Sequence, residues 1–296
     1  MTGTVAWRTL LGEAEQRLAT AGHPAGQASV EARWIIEEAS GYEGTEFHHG
    51  LDRPANLKGV VRFDRMLARR VGGEPIQYVL GRWAFRQLDL MVDPRVLIPR
   101  PETEVVVEYA LAELSRLEGV AQPLLAADLG TGSGAIGLSL AVEHRSVQVW
   151  LSDRSSDALS VARANLSAVG RPATRVTIVQ GSWFEAFGPD VLRQFAVIVS
   201  NPPYVSNDTE LDPSVADWEP TEALYAADGG TADLIHLLNT APDWLRPDGS
   251  LVLELSPEQA EAIRTHALVH FVEAEVFTDL AGRERGIIAR HPRPVG

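Results

Sequence analysis

The part of the chain after residue 123 alternates short apolar runs with helical segments, and this alternation constrains the fold more than any other feature. The strand-like runs are Leu124–Leu129, Val147–Ser152, Val176–Gln180, Phe195–Ser200 and Ser250–Leu255, and the helical segments cover 135–143, 155–169 and 231–245. Strands and helices in alternation form a doubly wound, mostly parallel α/β sheet. After a helix near 257–269, two strands at 272–279 and 285–290 flank a short loop with Gly282, so we expect an antiparallel hairpin to complete seven strands.

The N-terminal third has a different pattern. Apolar residues recur at helical spacing from Trp7 to Leu18, and again in Ala28–Ala39, around Val30, Trp34 and Ile35, and in Leu57–Val71, around Val61, Met66 and Leu67. We therefore predict a small helical domain over residues 1–80. The alternating stretch Gln87–Val92 and the prolines that follow it predict a β-containing hinge at 81–101, and the α/β domain then spans 102–296, beginning with a helix from about Glu102 to Leu117.

Charge and composition exclude several classes of function. The 296 residues carry a formal net charge of −14; residues 1–100 have 13 basic and 12 acidic side chains, and residues 101–296 have 13 and 28. Non-specific binding to DNA or RNA requires many cationic phosphate contacts, so we expect no direct nucleic-acid partner. The sequence has no window of 18 apolar residues and no signal-peptide core, which predicts a cytoplasmic protein with no membrane partner.

The side chains available for chemistry narrow the choice further. There is no cysteine, which excludes disulfides, thiol nucleophiles and thiolate zinc sites, and no H-E-x-x-H pattern, so we expect no metal. Arginines concentrate between residues 62 and 100, as either a solvated surface or a docking surface for an acidic partner or ribosomal RNA. Glu102 and Glu104 stand at a helix start, where they could cap the helix or cover a cofactor.

A glycine-rich turn follows the first strand of the α/β domain. Residues Asp128 to Gly134 read Asp-Leu-Gly-Thr-Gly-Ser-Gly, and residue 135 is alanine, so the dinucleotide pattern G-x-G-x-x-G is not met. Asp153 ends the second strand, where a carboxylate can accept hydrogen bonds from ribose hydroxyls. Trp183 follows the third strand and could cover an adenine or belong to the core. These residues indicate an adenosine-containing cofactor without a required pyrophosphate, the alternative being that the glycines only pack a helix on a strand.

The most specific motif is Asn201-Pro202-Pro203-Tyr204, directly after the strand 195–200. The prolines stiffen the turn and remove two backbone donors. The Asn201 side-chain carbonyl and the Pro202 backbone carbonyl can then accept from one planar NH2 group, and the Tyr204 ring can stack on it. Two acceptors leave the nitrogen lone pair free to attack an electrophilic methyl group. An incidental proline-rich turn is the alternative.

These motifs resemble the release-factor glutamine methyltransferases (the HemK/PrmC family), class I S-adenosylmethionine-dependent enzymes. The resemblance spans nearly the whole chain. It includes Gly73–Tyr78, Leu97–Glu104, Asp128–Gly134, Asn201–Tyr204, Trp218–Pro220, Ala223–Leu224 and Asp228–Gly230. It implies a seven-stranded Rossmann-like methyltransferase sheet with a smaller N-terminal helical domain.

The resemblance also implies roles for residues. S-adenosyl-L-methionine would contact the turn residues Gly130, Thr131, Gly132, Ser133 and Gly134, with Asp153 at the ribose, Trp183 at the adenine and Asn201 at the reacting end. Asn201, Pro202, Pro203 and Tyr204 would bind the substrate glutamine, and Asn201, Pro202 and Tyr204 would act in catalysis. The helical domain would dock the protein substrate, a peptide chain release factor whose Gly-Gly-Gln motif is methylated on the glutamine N5.

Two departures and two rival functions accompany this interpretation. Many relatives have aspartate where this chain has Ser182, and Glu254-Leu255-Ser256-Pro257 lacks the glycine that usually follows the acidic residue. The first rival is a methyltransferase for a ribosomal-protein glutamine, which shares the tetrad. The second is a nucleic-acid adenine amino-methyltransferase, which the acidic charge of residues 101–296 and the lack of a large inserted recognition region disfavour.

Overall fold

A computed structural model describes residues 5–119 and 123–294 of the chain. Contacts between Cα atoms divide it into two compact units. The first consists of the residues up to Arg82 together with Asp212–Trp218, and the second of Trp83–Leu211 and the residues from Glu219 onward. The first unit ends at Arg82, and the rest of the hairpin at the start of the predicted hinge belongs to the second unit.

The first unit is helical, as the sequence pattern predicts. Its helices are α1 (Trp7–Thr20), α2 (Ala25–Ser40), α3 (Gly44–Gly50), α4 (Leu57–Val71) and α5 (Ile76–Leu80). Buried apolar side chains from all five helices form one core, with Trp7, Ile35 and Phe63 among the largest. Val30 and Val61, two of the apolar residues that mark these helices in the sequence, lie on the outer faces of their helices, 47% and 60% exposed.

The second unit begins with a hairpin and continues as an α/β sheet. Its elements are β1 (Arg82–Phe85), β2 (Leu88–Met91), α6 (Thr103–Arg116), β3 (Leu125–Leu129), α7 (Ala135–Glu143), β4 (Gln148–Asp153), α8 (Ser156–Ala168), β5 (Val176–Gln180), β6 (Phe195–Ser200) and β7 (Val205–Ser206). The connection after β7 includes α9 (Pro213–Ala216), which belongs to the first unit. The remaining elements are β8 (Tyr225–Ala226), α10 (Ala227–Gly230), α11 (Ala232–Thr240), β9 (Leu245–Glu254), α12 (Ala260–His270), β10 (Phe271–Thr278) and β11 (Glu284–Pro292).

The large sheet has seven strands in the order β10-β11-β9-β6-β3-β4-β5. Strands β3, β4, β5, β6 and β9 are parallel, and β11 runs antiparallel to both β9 and β10. This confirms the predicted doubly wound sheet and its terminal hairpin. Because the order reverses at β3, a crevice opens at the carboxyl ends of β3, β4 and β6, where ligands bind in such sheets.

Two boundaries differ from the sequence prediction. The helix expected over 231–245 ends at Thr240, and strand β9 starts at Leu245 rather than at residue 250. Phe195 pairs with Leu245 while Val197 pairs with Ser250, so the turn Arg246–Gly249 bulges out of one continuous strand. The hydropathy pattern did not predict that β9 begins at Leu245, because the polar turn separates Leu245 from the apolar run.

The helices of the described residues were compared with the length and hydropathy that a membrane-spanning helix needs. No helix there is both long and apolar enough to span a bilayer.

Candidate active site

A cavity that is open to solvent lies at the carboxyl edge of the sheet. Its walls belong to the second unit. Among the residues predicted from the sequence, Gly130, Gly132, Asp153, Trp183, Asn201 and Pro203 line it. The structure therefore brings the glycine turn, the second strand end and the Asn-Pro-Pro-Tyr motif to one cavity.

The glycine turn is shaped by backbone conformations that favour glycine. Gly130, Gly132 and Gly134 all have positive φ, at +68°, +54° and +88°. A Cβ at position 134 would lie 2.9 Å from Leu138 Cδ1, whereas one at position 132 would have no described heavy atom within 4 Å. Gly134 is thus required for packing of α7, and Gly132 leaves bare backbone at the cavity.

The buried carboxylate of Asp128 stabilises this turn by hydrogen bonds to residues on either side of Gly134. Its Oδ2 accepts from Thr131 Oγ1 at 2.6 Å and from the Gly137 N–H at 2.9 Å. Burial raises the pKa of Asp128 to about 6, and the two hydrogen bonds oppose that rise. Thr131 and Ser133 are buried, and they do not line the cavity, nor does Gly134. Their assignment to the cofactor stays a prediction.

Asp153 faces the cavity with both carboxylate oxygens already oriented. Oδ2 accepts from the Gly132 N–H and Oδ1 from the Ser155 N–H, each at 2.9 Å. Burial raises the pKa of Asp153, although both N–H donors lower it. Each oxygen keeps a second lone pair, so the side chain can accept from a pair of neighbouring hydroxyls.

Trp183 forms the wall beside the turn. Its backbone φ of +47° is unusual for a bulky residue. A Cβ at Gly130 would lie 3.3 Å from Trp183 Cζ3, so the indole ring covers the turn closely. Ser182 lines the cavity next to it, and its carbonyl accepts from the Glu185 N–H at 2.9 Å. The indole therefore offers a flat apolar surface to a planar ring.

The Asn201–Tyr204 motif follows β6, whose six residues are all buried. Asn201 and Pro203 line the cavity, while Pro202 is buried and Tyr204 half-buried behind them. The Tyr204 carbonyl accepts from Gln259 Nε2 at 2.9 Å, and its hydroxyl donates to Glu254 Oε1 at 3.1 Å. Both ends of Tyr204 are thereby fixed.

A second chain of hydrogen bonds reaches Asn201 from the same carboxylate. Thr103 Oγ1 donates to Glu254 Oε2 at 2.7 Å, and Asn201 Nδ2 donates to Thr103 Oγ1 at 3.3 Å. Glu254 is 1% exposed, and burial raises its pKa while the two hydroxyl donors and the nearby Arg285 oppose that rise. Burial and the neighbouring Glu254 raise the pKa of Tyr204, so its phenol stays protonated.

Comparisons with known proteins identify the family. The chain matches the family models for the PrmC N-terminal domain over residues 9–81 and the methyltransferase small domain over residues 114–217. It is 39% identical over 232 residues to the release factor glutamine methyltransferase of Escherichia coli (strain K12), covering 78% of this chain and 80% of that protein. The protein of the same name from Neisseria gonorrhoeae is 38% identical over 266 residues, covering 88% and 93%.

This chain belongs to the release factor glutamine methyltransferase family. The resemblance stated from its motifs is thereby confirmed.

Solved structures confirm the fold of this methyltransferase. The catalytic domain of hMettl16 in complex with the MAT2A 3'UTR hairpin 1 has a TM-score of 0.56 and 11% identity, covering 94% of this chain and 91% of that one. A methyltransferase from Pyrococcus furiosus has a TM-score of 0.50 and 18% identity, covering 76% and 98%. At these identities the likeness concerns the fold alone.

Sequence reasoning missed two residues that the methyltransferase site contains. Thr103 was hidden in the segment Pro101-Glu102-Thr103-Glu104, where only the glutamates were considered. Glu254 was noted only as part of a departure from the family pattern. A polar residue that ends a buried strand at the carboxyl edge of a sheet was the signal for Glu254, as it was for Asp153.

Of the two glutamates at the start of α6, neither lines the cavity. Glu104 Oε1 accepts from the Arg86 N–H at 3.0 Å, and Glu102 Oε1 accepts from Arg283 Nη2 at 3.3 Å. These contacts favour an anchoring role at the helix start over a cofactor cover.

Proposed function

We propose that this methyltransferase transfers a methyl group from S-adenosyl-L-methionine to the side-chain amide nitrogen, N5, of the glutamine in the Gly-Gly-Gln motif of peptide chain release factors. The observation that carries the proposal is the orientation of Asn201. Asn201 lines the cavity and its NH2 group donates to Thr103, so its carbonyl oxygen is the part of the amide left to accept from a ligand. An acceptor beside the cavity suits a substrate that presents N–H bonds. The names of the relatives support the release factor as the substrate.

The cavity fits S-adenosylmethionine on its own features. Bare backbone at Gly132, which lines the cavity, admits close approach of a ligand. Asp153 would hold the ribose hydroxyls, Trp183 the adenine, and the turn Gly130–Gly134 the methionine and ribose part. When bound, the cofactor supplies an electrophilic methyl group on its sulfonium.

The chain's own residues orient the nucleophile. An amide nitrogen is a poor nucleophile because its lone pair is delocalised into the carbonyl. Asn201 Oδ1 and the Pro202 carbonyl would accept both N–H bonds of the substrate amide and stabilise the positive charge that grows on nitrogen. The Tyr204 ring would pack on the planar amide. No ionised base is needed before attack, and the surplus proton on the nitrogen is lost to water afterwards.

We further propose that the N-terminal helical unit docks the release factor. Its match to the PrmC N-terminal domain supports this role. Because release factors work on ribosomes, we propose the cytoplasm as the place of the reaction.

The test is transfer of a tritiated methyl group from S-adenosylmethionine to purified release factor, ribosomal proteins and unmethylated DNA in parallel. A release factor with Gly-Gly-Ala in place of Gly-Gly-Gln is the matched control. We expect label in the wild-type release factor alone. Label in the ribosomal fraction would replace the proposal with ribosomal-protein methylation, and label in DNA would mean that the acceptors bind an adenine amine.

A further inference from the structure

The hydroxyl of Thr103 lies between two groups of the active site. It donates to Glu254 Oε2 at 2.7 Å and accepts from Asn201 Nδ2 at 3.3 Å, and its side chain is buried. Thr103 is the first residue of α6, directly after the Pro99–Glu102 segment. The turn at Pro101–Glu102 therefore places the Thr103 hydroxyl next to Asn201.

The single proton of the Thr103 hydroxyl determines the orientation of the Asn201 side-chain amide. A threonine hydroxyl has one proton, and Thr103 donates it to Glu254 Oε2 at 2.7 Å. The Thr103 proton is committed to Glu254, so Thr103 Oγ1 can only accept from Asn201, and the Asn201 NH2 must point at it. The carbonyl of Asn201 then faces the cavity. The reversed amide would present N–H donors to the N–H donors of the substrate.

The other oxygen of the same carboxylate holds Tyr204. Glu254 Oε1 accepts from the Tyr204 hydroxyl at 3.1 Å, while Gln259 holds the Tyr204 carbonyl. One buried carboxylate thus fixes an acceptor and an aromatic ring that lie three residues apart on a rigid turn. Arg285 lies close enough to Glu254 to stabilise its charge.

We infer that Glu254 and Thr103 are positioning residues for methyl transfer, with Glu254 holding Tyr204 directly and Asn201 through Thr103. This inference rests on the proposed function, since it concerns the same substrate amide. Neither residue lines the cavity, so each would act through the residue that it holds. Their effect is to keep the acceptor oxygen and the ring in the one arrangement that binds an NH2 group.

The first test compares Thr103→Val with Thr103→Ser. Valine has nearly the shape of threonine but no hydroxyl, and serine keeps the hydroxyl. We expect Thr103→Val to lower kcat about 10- to 100-fold, while the KM for release factor and the Kd for cofactor change less than about threefold. Thr103→Ser should retain kcat within about threefold of wild type.

Ser250→Ala is the matched control for loss of a buried hydroxyl. Ser250 lies on β9, the strand that ends at Glu254, and its Oγ donates to Glu113 Oε2 of α6 at 2.6 Å. Neither Ser250 nor Glu113 lines the cavity. Ser250→Ala should lower the thermal midpoint as much as Thr103→Val does and leave kcat unchanged. If the two variants lost kcat equally, the Thr103 effect would be general destabilisation and the inference would fail.

The second test replaces the carboxylate. Glu254→Gln has one oxygen and one NH2 group, so it cannot accept from both hydroxyls. We expect kcat to fall about 10- to 100-fold, and the Thr103→Val/Glu254→Gln double variant to be no slower than the slower single variant, because both interrupt one chain. If the kcat losses of the two single variants multiplied in the double variant, Thr103 and Glu254 would not act through one chain of hydrogen bonds, and the inference would fail.

A measurement without substrate separates this inference from the proposed function. The side-chain amide of Asn201 is one of five asparagine amides in the sequence, and its NMR signal is identified by its loss in Asn201→Ala. Thr103→Val and Glu254→Gln should shift that signal and speed its hydrogen exchange, and Thr103→Ser should not. If these shifts occur but the methyl-transfer assay leaves release factor unlabelled, the proposed function is rejected and the positioning role is kept. If wild-type enzyme methylates release factor but the Asn201 signal is unmoved in Thr103→Val and Glu254→Gln, the positioning role is rejected and the function is kept.

Discussion

The Gly132 N–H donates to Asp153 Oδ2 at 2.9 Å, which ties the glycine turn after β3 to the end of β4. The other oxygen of Asp153 accepts from the Ser155 N–H at the start of α8. The carboxylate is therefore oriented before any ligand arrives, and little side-chain entropy remains to be lost on binding. This relationship makes Asp153 both a part of the turn and an acceptor facing the cavity.

Asp153→Ala should chiefly weaken cofactor binding. The substitution removes the proposed ribose acceptor and the partner of the Gly132 N–H, so we expect the Kd for S-adenosylmethionine to rise about 10- to 100-fold by titration calorimetry. Turnover at saturating cofactor should change far less. Asp157→Ala, on the exposed face of α8, is the control and should bind normally. Undiminished affinity of Asp153→Ala would refute the ribose role.

Asn201→Ala should lower turnover far more than cofactor affinity. The alanine removes the oriented acceptor for the substrate NH2 group but leaves Asp153 and Trp183 in place. We expect kcat to fall about 100-fold or more and the cofactor Kd to stay within about threefold. Steady-state kinetics at saturating cofactor measure the first quantity and calorimetry the second. Wild-type turnover would remove Asn201 from its assigned role.

Gly230→Ala should displace Tyr204, whereas Gly229→Ala should not. Both glycines have positive φ, but a Cβ at 230 would lie 2.2 Å from the Tyr204 carbonyl oxygen, and one at 229 would meet no described atom within 4 Å. Each alanine should lower the free energy of unfolding by about 1 kcal/mol through its backbone conformation. Only Gly230→Ala should also lower kcat, by about tenfold. Equal kcat values for the two variants would show that Tyr204 tolerates the displacement.

The raised pKa of Asp128 predicts how the free energy of unfolding depends on pH. Its pKa is raised from 3.8 to about 6 by burial, so the folded state binds the proton more tightly than the unfolded state does. The contribution of Asp128 to the free energy of unfolding is therefore largest below pH 4 and falls by about 3 kcal/mol as the pH rises through 6. Above pH 7 it is constant.

Asp128→Asn isolates that contribution. Asparagine keeps an oxygen to accept from Thr131 and Gly137 but does not ionise. Urea unfolding at pH 4.5, 5.5 and 7 should show the variant gaining stability relative to wild type as the pH rises. A difference that is constant with pH, or that falls, would contradict the raised pKa.

Much of the fold follows from hydropathy, because parallel strands buried on both faces are continuous apolar runs. Strand β6 is the clearest case, since all six of its residues are buried. The first unit was less predictable in detail: Val30 and Val61 are apolar yet exposed, and only tertiary packing decides which face of a helix is covered. Strand β1 was missed because its four residues lack a clear alternation of buried and exposed positions.

The candidate site was predictable where chemistry and strand ends coincide. Asp153, Trp183 and Asn201 each follow a strand, and parallel strands bring their carboxyl ends to one edge. The link from Asn201 through Thr103 to Glu254 spans residues 98 and 151 positions apart, and its hydrogen bonds depend on side-chain positions that no local pattern specifies.

The most direct test of the central claim is to locate the transferred methyl group. Release factor is incubated with the enzyme and S-adenosylmethionine, and the peptide that contains Gly-Gly-Gln is fragmented in a mass spectrometer. We predict one added methyl group on the glutamine side chain with wild-type enzyme, far less glutamine methylation in the same time with Asn201→Ala, and none with a Gly-Gly-Ala release factor. A methyl group on another residue, or undiminished glutamine methylation by Asn201→Ala, would contradict the account.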